Sequence, residues 1–223
     1  MAKREKVYHE NFVVDELEPL TINQERYFNA IKHDDIVIAV GSAGTGKTFC
    51  AASLVADMYR NKQIRQIIVT RPTVPCGEDM GHLPGNLDEK FDPWIQQVLK
   101  PVKRRLSAGK FDCDYGKRIH AMPMQFMRGE TFDDAAIIVD EAQNATVDQL
   151  KMLCTRAGLN SKIILCGDIS QTDLNKGTSG LAWLVKQVQQ FDQTIEVINF
   201  TLADCVRGDL CKRMLTIFEK ADR

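Results

Sequence analysis

The chain has 223 residues, 44% of them hydrophobic and 26% charged, which is enough for one globular domain whose core needs no metal or disulfide staple. Its formal net charge of -1 leaves no global positive field, so any nucleic-acid binding has to use a local basic surface. The start, Lys3 to Lys6, lacks the pattern of a secretory signal, and no apolar stretch approaches the ~20 residues of a membrane helix, so a soluble cytoplasmic protein is expected.

Residues 1–20 are polar and acidic and read as an irregular lead-in to a single domain over 21–223. Thr21-x-x-Gln24 has the form of a capping box, and Tyr27, Phe28 and Ile31 supply the apolar face of the helix it would start. Residues 36–40, IVIAV, form a β-rich run that leads into GSAGTGKT and then a helical pattern to Tyr59. A second apolar run over 67–70 stops at Arg71-Pro72. Three prolines and three glycines mark 72–86 as a loop. A helix is expected from Leu87, broken or ended around 101–107, and 111–127 read as short strands or an inserted hairpin.

From Ala136 the alternation resumes with a strand over 136–139, a helix over 147–157 closed by Gly158, and a strand over 163–166. A helix over 181–191, a strand over 195–200 and a terminal helix from Asp209 follow. Strands alternating with helices imply an α/β fold, a mostly parallel sheet with helices on both faces. Seven scattered cysteines with no CxxC pair speak against structural zinc and against a disulfide framework; Cys50 and Cys166, in apolar contexts, read as small buried hydrophobes.

Gly41, Ser42, Ala43, Gly44, Thr45, Gly46, Lys47 and Thr48 satisfy GxxxxGK[ST] between an expected strand and helix, the context a phosphate-binding loop requires. Glycines let successive N–H groups turn inward, the helix N-terminus adds partial positive charge, Lys47 would reach the β- and γ-phosphates, and the Thr48 hydroxyl would ligate magnesium. The apolar run ending in Asp140-Glu141 supplies the other half: Asp140 as metal partner through water and Glu141 as the base for attacking water. Without the glycine loop the same acidic pair would read as helix N-terminal charge.

A third strand end carries Gly167-Asp168-x-x-Gln171, where Gln171 or Asp168 would stand near a γ-phosphate; turn chemistry explains Gly-Asp equally well. An Asn-Lys-x-Asp guanine signature is incomplete at Asn175-Lys-Gly-Thr178, which favours ATP. Gln24 could read an adenine edge with its amide or simply close the capping box. Lys100, Lys103, Arg104, Arg105, Lys110, Lys117 and Arg118 form the basic candidate surface, readable also as a solvated helix end. His82 reads as a loop residue, and Trp94 and Trp183 as core rather than base-stacking platforms.

The run MRGETFDDAAIIVDEAQNATVDQLKMLCTRAGLNSKIILCGDISQTDL, with RPTVPCGEDMGHLPG and the glycine loop, strongly resembles the PhoH (phosphate-starvation-inducible) ATPases over residues 21–218. That resemblance implies a RecA-like P-loop fold related to superfamily 1 helicases, with the Gly167-Asp168 strand between the other two motif strands, and ATP hydrolysis with magnesium. It also implies a nucleotide-reading Gln24, Gln143 and Gln171 coupled to the γ-phosphate, and an arginine finger at Arg207, often supplied by a neighbouring subunit; Arg71 and Arg128 are rivals for that role. A homo-oligomer, a hexameric ring, and single-stranded RNA as partner are implied too. Glu130, His82 and Gly208 depart from the family's arginine, phenylalanine and histidine. With no KH or PIN module, the chain resembles the stand-alone cores carried by bacteriophages. A nucleoside kinase, the competing enzyme class, shares a glycine loop and DEAQ-like strand end but usually carries a paired-cysteine zinc lasso that this sequence lacks.

Overall fold

The computed structural model describes residues 14–72, 87–174 and 179–221. The expectations for His82, for 73–86, for the Trp94 side chain, for 175–178 and for most of the lead-in lie outside the described residues.

Six strands form one sheet: β1 (Ile36–Gly41), β2 (Gln66–Thr70), β3 (Ile119–Ala121), β4 (Ala135–Val139), β5 (Lys162–Gly167) and β6 (Glu196–Phe200). Their order is β3-β2-β4-β5-β1-β6, and every described pairing between them is parallel. The four inner strands read as unbroken apolar runs because both of their faces are covered. Val37, Ala39, Ile67, Val69, Ala136, Ile138, Ile164 and Cys166 point into one core. Their neighbours Ile38, Val40, Ile68, Ile137, Val139, Ile163 and Leu165 point into a second, as the two-residue period of a strand demands.

The first core is roofed by α1 (Ile22–His33), α2 (Lys47–Arg60) and α3 (Leu87–Leu106), the second by α5 (Val147–Cys154) and α6 (Gly180–Phe191). Thr21 caps α1 by accepting the Gln24 N–H at 3.2 Å. Thr146 and Gln149 form a reciprocal capping box on α5, and Ser179 caps α6. α3 passes through Pro101 and stops at Leu106, where Ser107 turns to φ 65° and caps α4 (Ala108–Asp114).

Three local expectations are corrected. Residues 111–127 hold no antiparallel hairpin: they contain the end of α4, the single short parallel strand β3 at the sheet edge, and a 3-10 turn, Met124–Met127. The turn between α4 and β3 closes through Gly116, whose N–H donates to Ile119 O at 2.9 Å, and the Tyr59 hydroxyl donates to Asp114 at 2.6 Å. α5 ends at Cys154 rather than at Ala157, because Phe132 pairs with this segment: its N–H donates to Arg156 O, and its carbonyl accepts the Gly158 N–H. Gly158 thus serves close approach, since a Cβ there would sit 1.9 Å from Asp133 Oδ1. Trp183 is no core residue; it lies on the outer face of α6, 48% exposed.

Candidate active site

Because the strands are parallel, the turns after β1, β4, β5 and β6 all leave the sheet at its carboxyl edge, where open α/β sheets bind ligands. β5 separates β1 from β4, so the glycine loop and the Asp-Glu strand end flank the Gly167-Asp168 turn. All three border one cavity of about 430 Å³.

The loop after β1 curls as its glycines permit, with φ of 135° at Gly41, 83° at Gly44 and 86° at Gly46. Gly41 sits against β6, and a Cβ there would lie 2.0 Å from Phe200 O. Lys47 folds back across the loop, its Nζ donating to Gly41 O at 2.6 Å and Ser42 O at 2.8 Å. Burial pulls this ammonium below the usual lysine range, against the opposing pull of Cys166, Asp168, Glu141 and Asp140. Ser42, Ala43 and Thr45 complete the loop; Ala43 borders the cavity, while Thr45 is buried and donates to Ser42 O at 3.1 Å.

At the second residue of α2, Thr48 Oγ1 donates to Asp140 Oδ1 at 2.7 Å, joining residues ninety-two positions apart in sequence. Gln97 Nε2 of α3 donates to the other oxygen of Asp140. Burial holds the Asp140 carboxyl above the usual carboxylate range, the Thr48 hydrogen bond opposing and the neighbouring Glu141 charge reinforcing it. Glu141 adopts left-handed backbone, φ 52° and ψ 40°, an uncommon state for a residue with a side chain. Gln143 Nε2 donates to Glu141 Oε2 at 2.6 Å, and Gln143 Oε1 accepts the Asp168 N–H at 3.0 Å. One buried amide therefore links the β4 acid to the end of β5. Asp168 accepts from the Ser170 N–H and hydroxyl, and exposed Gln171 borders the cavity.

Gln24 closes only half of the expected capping box: the Thr21 hydroxyl accepts its N–H, but its side chain turns elsewhere. Its Oε1 accepts the Leu20 N–H at 2.8 Å in place of the Thr21 N–H, and its Nε2 donates to Thr45 O at 3.0 Å, so it braces the glycine loop. Leu17, Leu20 and Phe28 line the same end of the cavity. Arg207 reaches the cavity from the turn after β6. Beneath it, the Tyr27 hydroxyl and Cys166 Sγ are 3.1 Å apart, and burial pushes the Cys166 and Cys50 thiols up to about 12. The expected burial of Cys50 and Cys166 holds.

Sequence reasoning missed Gln97, which touches Asp140, and the Asn23–Asp204 pair behind the site; these contacts join distant segments and carry no spacing signal. Of the basic candidates, Lys103 pairs with Asp112 at 2.8 Å, Lys110 with Asp114 at 2.6 Å and the largely buried Arg105 with Asp57 at 2.6 Å. Lys117 donates to Cys113 O at 3.0 Å. Among the described residues no three His, Cys, Asp or Glu side chains cluster to hold a metal alone, and no helix is long and apolar enough to cross a membrane.

A parallel sheet that brings a GxxxxGKT turn, an Asp-Glu strand end and the polar end of an intervening strand to one crevice defines a RecA-like α/β fold of the P-loop NTPase class. Solved structures share this architecture. The large terminase from a thermophilic bacteriophage superimposes with TM-score 0.59 at 13% identity, over 86% of this chain and 48% of that one. The same terminase in complex with ATP-gamma-S gives 0.58 at 12% identity, over 88% and 49%. Within the class, the chain belongs to the PhoH-like protein family, which matches residues 16–219. It is 40% identical over 207 residues to a PhoH-like protein of Bacillus subtilis (strain 168), covering 90% of this chain and 63% of that protein. It is 41% identical over 197 residues to Protein PhoH of Escherichia coli (strain K12), covering 86% and 55%. The chain thus spans less than two thirds of the length of these curated relatives.

Proposed function

We propose that this chain binds ATP with magnesium and hydrolyses it, the observation carrying the reading being the 2.7 Å contact of Thr48 with Asp140 beside Lys47 and Glu141. The two oxygens suit a hard cation that takes part of its shell from nucleotide and water: the Thr48 hydroxyl would ligate it directly and Asp140 through a water. Magnesium, when bound with the nucleotide, supplies charge neutralisation at the β- and γ-phosphates.

The chain's own groups do the rest. The loop N–H groups of residues 41–48 cradle the β-phosphate, and Lys47 exchanges its two carbonyl contacts for phosphate oxygens, whose negative charge favours the ammonium in a buried setting. Glu141 orients a water in line with the γ-phosphorus and takes its proton as ADP leaves. Gln143 sets the direction of that carboxylate, and Gln171 and Arg207 approach the γ-phosphate from the other wall. Gln24, with Leu17 and Leu20 alongside, selects adenine.

The chain acts as a single domain over 21–223 and assembles as a homo-oligomer, a hexameric ring, in which ATP turnover is coupled to single-stranded RNA. A second reading is an ATP-controlled assembly factor without unwinding. It is favoured by the internal pairing of Lys103, Arg105 and Lys110, which leaves less free charge for phosphates.

Steady-state ATP hydrolysis by wild type and Glu141→Gln, with and without single-stranded RNA at two salt concentrations, tests both. The substitution is expected to cost at least about a hundredfold in rate while nucleotide binding survives; an intact rate rejects the assignment of the base. Stimulation by RNA that salt abolishes supports the RNA reading, and clear hydrolysis indifferent to RNA supports the assembly factor.

A further inference from the structure

The turn between β6 and the last helix, α7 (Asp209–Ala221), is bolted to its own nucleotide loop. Thr201 opens a single 3-10 turn, Leu202–Asp204, closed by a reciprocal capping box. Asp204, 4% exposed, accepts the Thr201 N–H at 2.9 Å and its hydroxyl at 3.2 Å with one oxygen. That same oxygen accepts Asn23 Nδ2 at 2.8 Å. Asn23 precedes Gln24, which holds Thr45 O from the opposite side of the loop. Two residues beyond Asp204, the Val206 N–H donates to Gly44 O at 3.1 Å.

This backbone latch lays the stem of Arg207 on Gly44. A Cβ at Gly44 would meet Arg207 Cδ at 3.1 Å, Arg207 Cγ at 3.3 Å and Cys205 Sγ at 3.3 Å. The loop therefore makes room for the arginine of its own chain, and Arg207 borders the cavity shared with Lys47, Glu141 and Gln171.

We infer that Arg207 acts on the nucleotide of its own subunit, with Asp204 and Asn23 as the positioning residues that hold it there. The inference rests on the reading of the cavity as an ATP site. It differs from a finger lent by a neighbour, because such an arginine would have to enter a mouth already occupied by the 205–207 segment. A cis arginine placed this way is present from the first moment of binding, and its charge matters most as the γ-phosphoryl group transfers.

Two variants, Arg207→Ala and Glu141→Gln, are co-expressed so that their subunits mix, and ATP hydrolysis is measured. A trans arginine would rebuild about a quarter of the sites in a randomly mixed head-to-tail ring; a cis arginine rebuilds none, and recovered turnover overturns the inference. Asp204→Asn is then compared with Arg207→Ala for affinity to ADP and to ADP–aluminium fluoride. Both are expected to lose about tenfold or more for the transition-state mimic while ADP affinity moves less than about threefold, and the double variant to be no worse than either alone. Equal losses for both ligands, or additive losses, reduce Asp204 to a fold-stabilising residue and reject its positioning role. A wild-type chain without hydrolysis whose ADP–aluminium fluoride binding still depends on Arg207 when monomeric would sink the hydrolysis reading and leave the cis assignment standing.

Discussion

Replacing Gln143 by leucine removes a buried amide without opening a large void, and the structure sets what that removal costs. Gln143 is 2% exposed and makes two side-chain hydrogen bonds, donating to the Glu141 carboxylate at 2.6 Å and accepting the Asp168 N–H at 3.0 Å. A hydrogen bond to a charged group contributes about 1.5–3 kcal/mol, and a buried N–H left without acceptor costs about 1–3 kcal/mol. Discounting for water that reaches half-buried Glu141, we expect a loss of about 3 kcal/mol, or roughly 6–12 °C in melting temperature for a chain of this size. Gln143→Glu keeps an acceptor for Asp168 but sets a second buried carboxylate against Glu141, so at neutral pH it should melt no higher than the leucine variant. In ATP turnover the leucine variant is expected to lose kcat by about tenfold or more with KM changed less than about threefold, because it frees the base without touching the phosphate loop. Differential scanning calorimetry and steady-state kinetics on the three proteins check this. A leucine variant with wild-type melting and wild-type kcat would refute the role given to Gln143.

Other consequences are as direct. Gly41→Ala forces a Cβ to 2.0 Å from Phe200 O at a φ of 135°, so the variant should lose β6 pairing and nucleotide binding together, seen by circular dichroism and a fluorescent ATP analogue. Because burial raises the Asp140 pKa, stability from its proton is fully present below the unfolded value and lost as pH rises through the folded one. Asp140→Asn should therefore melt above wild type at pH 8, with the gap closing on acidification, while magnesium-dependent nucleotide binding weakens; lower melting at pH 8 would contradict the cause assigned. Cys50 and Cys166, held up to about 12 by burial, should resist alkylation in the native protein while exposed Cys113 reacts, which peptide mass spectrometry reads out.

Much of this molecule is legible in the sequence because it is local. The GxxxxGKT turn dictates its own conformation through Gly41, Gly44 and Gly46, and the runs over β1, β4 and β5 show their double burial as unbroken apolar stretches. The PhoH resemblance and the place of the Gly167-Asp168 strand both hold. What fails is also instructive: an apolar periodicity cannot tell the edge strand β3 and its preceding helix from a hairpin, and Trp183 reads as core because its neighbours in sequence are apolar, although Ala182 beside it is exposed too.

Only the tertiary structure decides the contacts that turn motifs into a site. Thr48 meets Asp140, Gln97 meets the same carboxylate, and Asp204 meets Asn23 across separations that no spacing rule encodes. Those meetings follow from strand order, which brings turns distant in the chain to one edge of the sheet. The direction of the Glu141 carboxylate and the seat of Arg207 on Gly44 follow in turn, because a side chain's aim is set by the packed neighbours around it, and sequence neighbours supply few of those.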